Sequence, residues 1–250
     1  AIAAPLPNGV SWVPVTKGAL GSLALGGALM LMFLVYRTHE VSRVVPITQS
    51  YPIFVAIIAT LFLGESLNLI HWGAILLTVT GVVLISFQRV PGKGGIPLGR
   101  PFVLMTLASL GIAIFNILSK SALADISVWN MYTINNLSVG SAFIVMSLKR
   151  SVVREALLVA RRPTGVLLIV AVLGVNFVGA TLLFSAFEVG PVSLISTIAG
   201  TRPVFVFVYT VLLSLVVPRF LHEPLTPRVL ALKSASIALI VGGGSALVLA

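Results

Sequence analysis

The sequence predicts an all-α integral membrane protein, a helical bundle of about eight transmembrane helices. Two features of the composition predict this class: 58% of the 250 residues are hydrophobic, and only 9% are charged. A soluble domain carries about 25% charged residues, so this chain has too few charges to cover a surface that faces water. The hydrophobic residues also form runs of about 20, the length that a helix needs to cross a bilayer.

Eight such runs follow one another along the chain, and the short connections between them make neighbouring helices antiparallel. A β-structure that crosses a membrane needs a closed barrel of alternating segments, which these continuous apolar runs do not provide. The predicted spans are 18–36, 44–63, 72–88, 101–119, 128–148, 164–187, 191–217 and 229–250.

The basic residues indicate an orientation for the bundle. The formal net charge is +10, with 16 lysines and arginines against six acidic residues. If every run spans, Lys17 and Lys120 lie on one side, Arg202 and Lys233 lie inside runs, and the remaining twelve lie on the other side. Loops rich in Lys and Arg face the cytoplasm, so the loops at 89–100 and 149–162 are predicted to be cytoplasmic. Basic residues confined to such gaps also argue against a nucleic-acid partner.

The sequence carries no pattern of a catalytic or metal site. It has no cysteine, and its three histidines, His39, His71 and His222, are far apart. Disulfide and thiolate chemistry are therefore excluded, and no metal-ligand spacing occurs. Paired carboxylates, a Ser-His arrangement and a Gly-rich phosphate loop do not occur either. We therefore expect no enzymatic activity, no cofactor and no metal.

The chain contains an internal repeat. Four features of the first half recur in the second half with the same spacings: Phe33 matches Phe184, Val41-Ser42 matches Val192-Ser193, Pro52 matches Pro203, and Phe54 matches Phe205. A loop with a glutamate follows each set, Glu65 in LGESL and Glu223 in LHEPL, and a helix containing glycine comes after it.

The repeat predicts the domain organisation. A first repeat at 1–88 holds three helices, a linker occupies 89–100, and a second repeat at 101–250 holds five helices. The last three helices of the second repeat match the three of the first. We therefore expect two further helices to precede residue 18, and residues 1–16 to hold the end of one of them and a loop.

The segment VSRVVPITQSYPIFVAIIATLFLGESLNLIHWGAILLTVTGVVLIS resembles the EamA domain of the drug/metabolite transporter (DMT) superfamily. The family pattern is a small residue, an apolar run, a proline with an aromatic residue shortly after it, a Gly-Glu pair and a Gly-rich helix. Residues 184–250 resemble the second copy more loosely, and the long segment at 204–223 departs from it. The resemblance implies ten helices in two inverted repeats, of which this chain lacks the first two helices. The usual family topology places the basic loops outside, opposite to the charge-based prediction.

The resemblance also implies a function. It predicts a multi-pass secondary transporter in the inner cell membrane, an exporter or exchanger of a small metabolite such as an amino acid. The expected mechanism is alternating access of two inverted repeats around a midplane cavity, with the solute and the lipid bilayer as partners. Two alternatives remain open: a non-transporting scaffold or assembly subunit, and a flippase of a lipid-linked sugar. A polar lining between facing helices would distinguish a transporter from a scaffold.

Five polar residues inside the runs are the candidate substrate-binding residues. Arg202 lies near mid-membrane, where a charge costs about 2.5–3.5 kcal/mol on insertion scales and needs water, a partner or a ligand. Pro203 removes a backbone hydrogen bond beside it and bends the helix. Tyr51 is the residue that the repeat matches to Arg202. The others are Gln49 beside Pro52, and Asn116 and Asn176 on helices that the resemblance places at the cavity.

Other polar residues and glycines are predicted to have structural roles. Glu65, Glu188 and Glu223 lie at helix ends and are expected at the membrane interface. Lys233 lies about one turn into the last run, so its long side chain is expected to reach the interface. Four glycines with Ser22 form a small face on the first helix, which predicts close helix packing there; they are Gly18, Gly21, Gly26 and Gly27.

Overall fold

The computed structural model describes residues 12–39, 41–86, 99–146, 163–216 and 227–249. Within these ranges the chain forms helices joined by turns, with no strand. The helices are α1 (Trp12–Tyr36), α2 (Val41–Thr48), α3 (Tyr51–Phe62), α4 (Leu69–Ser86), α5 (Arg100–Leu123), α6 (Val128–Met146), α7 (Pro163–Val189), α8 (Val192–Ala199), α9 (Arg202–Val216) and α10 (Pro227–Leu249).

Five stretches of the described chain are long and apolar enough to cross a membrane: Trp12–Tyr36, Val44–Phe62, Arg100–Leu123, Pro163–Val189 and Val192–Tyr209. Two of them combine short helices, α2 with α3 and α8 with α9. Two shorter apolar helices are Leu69–Ile85 and Leu232–Leu247. The remaining helix, α6, has 19 residues and carries three asparagines. The described helices thus account for the eight predicted spans, and the predicted all-α, multi-pass membrane fold is confirmed.

The predicted start of the first helix is wrong. α1 begins at Trp12, so residues 12–16 belong to this helix and not to a preceding loop. Pro14 lies in its first turn, where the missing N–H has no helical partner to lose, and its side chain is fully buried. The hydroxyl of Thr16 donates to the Val13 carbonyl at 2.9 Å within the same turn. Residues 89–98 of the linker predicted at 89–100, and the basic loop at 149–162, lie outside the described residues.

The chain divides into two compact units. The first contains the N-terminal part of α1, the C-terminal part of α5, and α6 and α7. The second contains the rest of α1 and α5 with α2, α3, α4, α8, α9 and α10. Each unit therefore takes helices from both predicted repeats, and the division into repeats stays a prediction.

In the first unit, glycines let α1 approach α5 and α6 closely. A Cβ atom at Gly21 would lie 2.9 Å from the Leu118 Cβ, and one at Gly18 would lie 3.1 Å from the Met131 Sδ. A Cβ at Gly26 would lie 3.2 Å from the Ala142 Cβ, whereas a Cβ at Gly27 would meet no atom within 4 Å. The predicted small face is confirmed at the first three of these glycines.

In the second unit, α4 packs closely against α10. A Cβ at Gly81 would lie 2.7 Å from the Ile240 Cγ1, and one at Gly243 would lie 2.3 Å from the Thr78 Oγ1. Such distances are shorter than any real carbon contact, so these backbones touch only because both residues are glycine. Ile75 and Leu247 belong to the apolar cluster at this interface.

Candidate functional site

Two helix breaks at matching positions of the repeat form the centre of the candidate site. Residues 49–50 separate α2 from α3, and residues 200–201 separate α8 from α9. Pro46 lies inside α2, Pro52 is the second residue of α3, and Pro203 is the second residue of α9. Proline lacks the N–H of a helical hydrogen bond, which explains why the chain cannot continue smoothly. The bends predicted from these prolines are confirmed.

Hydroxyl groups satisfy backbone carbonyls at the first break. The Ser50 Oγ donates to the Ile47 carbonyl at 2.7 Å, and the Ser109 Oγ from α5 donates to the Thr48 carbonyl at 3.3 Å. The two hydroxyl oxygens are 3.4 Å apart. A broken helix at membrane depth needs such partners, because lipid offers no hydrogen bonds to a free carbonyl.

The two breaks meet within the second unit. The Tyr51 hydroxyl donates to the Ser196 carbonyl at 3.0 Å, and Tyr51 is only 8% exposed. A Cβ at Gly200 would lie 3.3 Å from the Pro52 Cγ, so the second break lies directly against the first. The contact joins residues 145 positions apart in the chain. It brings together two discontinuous helices, which in transporters provide substrate and ion sites.

Three of the five candidate residues lie at these breaks. Arg202 is the first residue of α9 and is exposed, and Tyr51 is the first residue of α3. A cation at the N-terminal end of a helix gains nothing from the helix dipole, which favours anions there. Gln49 lies in the first break and is half-buried. Solute binding by these three residues stays a prediction.

The other two candidates belong to the first unit. Asn116 lies on α5 and is 4% exposed, and Asn176 lies on α7 and is exposed. The residue after Asn176 is Phe177, whose ring stacks on Trp129 at 6.0 Å and meets Tyr132 edge-on at 5.1 Å. A role of either asparagine in solute binding stays a prediction.

Glu65 makes contacts that its sequence position does not reveal. Its carboxylate accepts hydrogen bonds from the Val192 N–H at 2.5 Å, from the Ser193 N–H at 3.2 Å and from the Ser193 hydroxyl. These groups lie in the first turn of α8, 127 and 128 residues further along the chain. In the repeat, Glu65 matches Glu223, and Val192-Ser193 matches Val41-Ser42. The repeat therefore does not predict the contact between Glu65 and α8.

Lys233 also makes a contact that its sequence position does not reveal. It is 6% exposed, and its Nζ lies 4.0 Å from the centroid of the Phe207 ring. A cation–π contact with α9 holds the ammonium group inside the second unit, and its position relative to the membrane interface stays a prediction. Within the described residues, no group of three His, Cys, Asp or Glu side chains is arranged to hold a metal ion.

Comparison with known proteins gives matches at the levels of family, relative and fold. Residues 4–87 match the EamA-like transporter family. A Sinorhizobium protein described as an uncharacterized transporter in the cobO 3′ region is 34% identical over 68 residues, which are 27% of this chain and 48% of that protein. The matched segment thus spans about half of this curated relative.

The fold has a counterpart among solved structures. A protein of known crystal structure aligns with 96% of this chain and 76% of its own length, with a TM-score of 0.68 and 19% identity. At this identity the likeness establishes the fold alone. The family match covers the segment that holds the first helix break and the LGESL loop. The resemblance seen in the sequence is confirmed for this segment, since residues 4–87 are similar to the EamA-like transporter family.

Proposed function

We propose that this protein is a secondary transporter of a small metabolite such as an amino acid, in the inner cell membrane. It works by alternating access of two inverted repeats around a midplane site. The observation that carries the proposal is the meeting of two broken helices, where the Tyr51 hydroxyl donates to the Ser196 carbonyl and Gly200 packs against Pro52. The match of residues 4–87 to a transporter family supports the same function.

The breaks suit transport because they place polar groups within an apolar bundle. A scaffold gains nothing from interrupting its helices, whereas a transporter uses such interruptions to bind solute and to bend. Serine and threonine hydroxyls satisfy individual carbonyls at the breaks. This arrangement favours a transporter over a scaffold.

Arg202 gives the proposed site a preference for negatively charged solutes. It carries a permanent positive charge and lies at the start of α9, two residues after Gly200, which packs against Pro52. A guanidinium binds carboxylate or phosphate through two parallel hydrogen bonds. We therefore propose solutes with a carboxylate group, oriented by Arg202, with Tyr51 and Gln49 at the breaks as further polar contacts; solute binding by Asn116 and Asn176 of the first unit stays a separate prediction.

The proposal is tested by finding a solute and then removing the arginine. A solute that binds the native protein stabilises it and so raises its unfolding temperature. At a concentration of 100 times its Kd, the gain in stability is about 2.7 kcal/mol. Amino acids and other carboxylates are screened in this way, and those that stabilise the protein are then measured for uptake into proteoliposomes. If no small solute stabilises the protein or is taken up, the transporter function is refuted and the scaffold alternative gains support.

Arg202→Ala is expected to lower solute affinity ten- to hundredfold, because a hydrogen bond to a charged group contributes about 1.5–3 kcal/mol. Arg202→Lys restores affinity only in part, since an ammonium cannot form the two parallel bonds. Arg100→Ala is the matched control: Arg100 is also exposed, also begins a helix and also precedes a proline. Full transport by Arg202→Ala refutes the assigned site while leaving the transporter function intact.

A further inference from the structure

The helix α8 is short, and the helical structure is interrupted at both of its ends. It has eight residues, follows Gly190 and Pro191, and ends at the second break. The first N–H groups of any helix lack partners within it and need acceptors from elsewhere. The N-cap residue of α8 is Pro191, which makes no side-chain cap. The Glu65 carboxylate supplies the missing acceptors for Val192 and Ser193.

The backbone before Glu65 places this carboxylate. Gly64 has a φ angle of +67°, in the left-handed region, and it ends α3 in the way that glycine ends many helices. The Glu65 N–H then donates back to the Ala59 carbonyl at 3.3 Å. The chain therefore turns sharply after α3, and this turn fixes the backbone position from which the Glu65 side chain reaches the first turn of α8.

The preceding helix is held by a charge of the opposite sign. Within the first unit, the Lys120 Nζ donates to the Phe187 carbonyl at 2.5 Å and lies 3.5 Å from the Glu188 carbonyl, at the C-terminal end of α7. Each charge matches the helix end that it contacts, since anions favour N-terminal and cations favour C-terminal ends. The residues between α7 and α8 are thus flanked by one charged anchor on each helix.

We propose that the Glu65 contact with Val192 and Ser193, here called the clasp, is a releasable latch on α8. It holds the first turn of α8 in the conformation seen here, and it opens when access to the two helix breaks changes. One turn donates all three hydrogen bonds to the Glu65 carboxylate, so that a single movement of this side chain releases the whole turn. Ser196, whose carbonyl receives the Tyr51 hydroxyl, lies one turn further on the same short helix. This role rests on the proposed transport function.

The latch is tested by chemical access, which requires no known solute. The chain contains no cysteine, so a single Ser196→Cys substitution introduces a unique thiol at a residue that is 0% exposed. A hydrophilic maleimide is applied to the protein in proteoliposomes, and its rate of reaction is measured. Glu65→Gln and, as a milder second variant, Ser193→Ala are each combined with this reporter. Glu188→Gln is the matched control, because Glu188 is an exposed carboxylate at the end of α7.

Weakening the clasp is expected to accelerate labelling at position 196 about tenfold, the factor that one charge-assisted hydrogen bond contributes to an equilibrium constant. Glu188→Gln should leave the rate unchanged. A second reporter, Ser236→Cys on α10, is also 0% exposed and should label no faster when Glu65 is changed.

Two results overturn the proposal. If position 196 labels at the same rate in folded Glu65→Gln and Ser193→Ala proteins, the clasp is a static helix cap. If positions 196 and 236 accelerate together, the substitution loosens the whole unit rather than α8. Either result leaves the transport function standing, because that function depends on solute uptake and not on these rates.

Discussion

Replacing Gly243 by alanine tests the close approach of α4 and α10 most directly. The added Cβ would lie 2.3 Å from the Thr78 Oγ1, 2.8 Å from the Ala74 carbonyl oxygen and 2.9 Å from the Thr78 nitrogen. Two of these three atoms belong to the backbone of α4, so a change of side-chain rotamer cannot relieve the contact. The two helices have to separate, which opens the apolar packing between them.

The magnitude follows from two opposing effects. Overpacking a well-packed interior costs about 1–3 kcal/mol, and a clash with backbone atoms belongs at the upper end of that range. Alanine also stabilises a helix relative to glycine by about 1 kcal/mol. Gly244→Ala is the matched control, since a Cβ there would meet nothing within 4 Å and it gains the same helix propensity. The difference between the two variants therefore isolates the clash, at about 1–3 kcal/mol.

Thermal unfolding in detergent measures this difference. For a chain of this size, 1 kcal/mol shifts the unfolding temperature by about 2–4 °C. Adding Thr78→Ala to Gly243→Ala should restore part of the loss, because it removes the nearest atom but leaves the Ala74 carbonyl in place. Equal unfolding temperatures for the alanine variants at Gly243 and Gly244 would refute the close packing described here.

Two further predictions concern charge. Lys120→Met removes the cation from the end of α7 and is expected to lower stability by about 1–2 kcal/mol. The control Lys17→Met loses one hydrogen bond to the Ser121 hydroxyl and should lower stability less. Equal unfolding temperatures for Lys120→Met and the parent protein would contradict the stabilising role of Lys120 at the end of α7. If the basic loops are cytoplasmic, an impermeant thiol reagent applied to intact cells labels a cysteine at Asn68 but not one at Thr38, both of which are exposed. The opposite result would show that the usual topology of the family applies.

Much of the fold could be predicted because its determinants are local in the sequence. An apolar run of about 20 residues forms a membrane helix wherever it packs, since lipid leaves its backbone no other way to satisfy its hydrogen bonds. The helix breaks could be predicted from Pro46, Pro52 and Pro203, because the proline ring itself removes the backbone N–H of a helical hydrogen bond. The start of α1 was missed because the predicted run began at residue 18, whereas the helix also includes Pro14, which is tolerated in a first helical turn.

The sequence by itself therefore determined the membrane class, the helices, their two breaks and the polar residues beside the breaks. Only the tertiary structure decided which groups meet: Tyr51 with Ser196, Glu65 with the start of α8, and the Lys233 ammonium with the Phe207 ring. The first two contacts span 145 and 127 residues. No local pattern encodes such pairings, because they depend on how separate helices pack. A side chain at a helix end finds its partner only after the helices have come together.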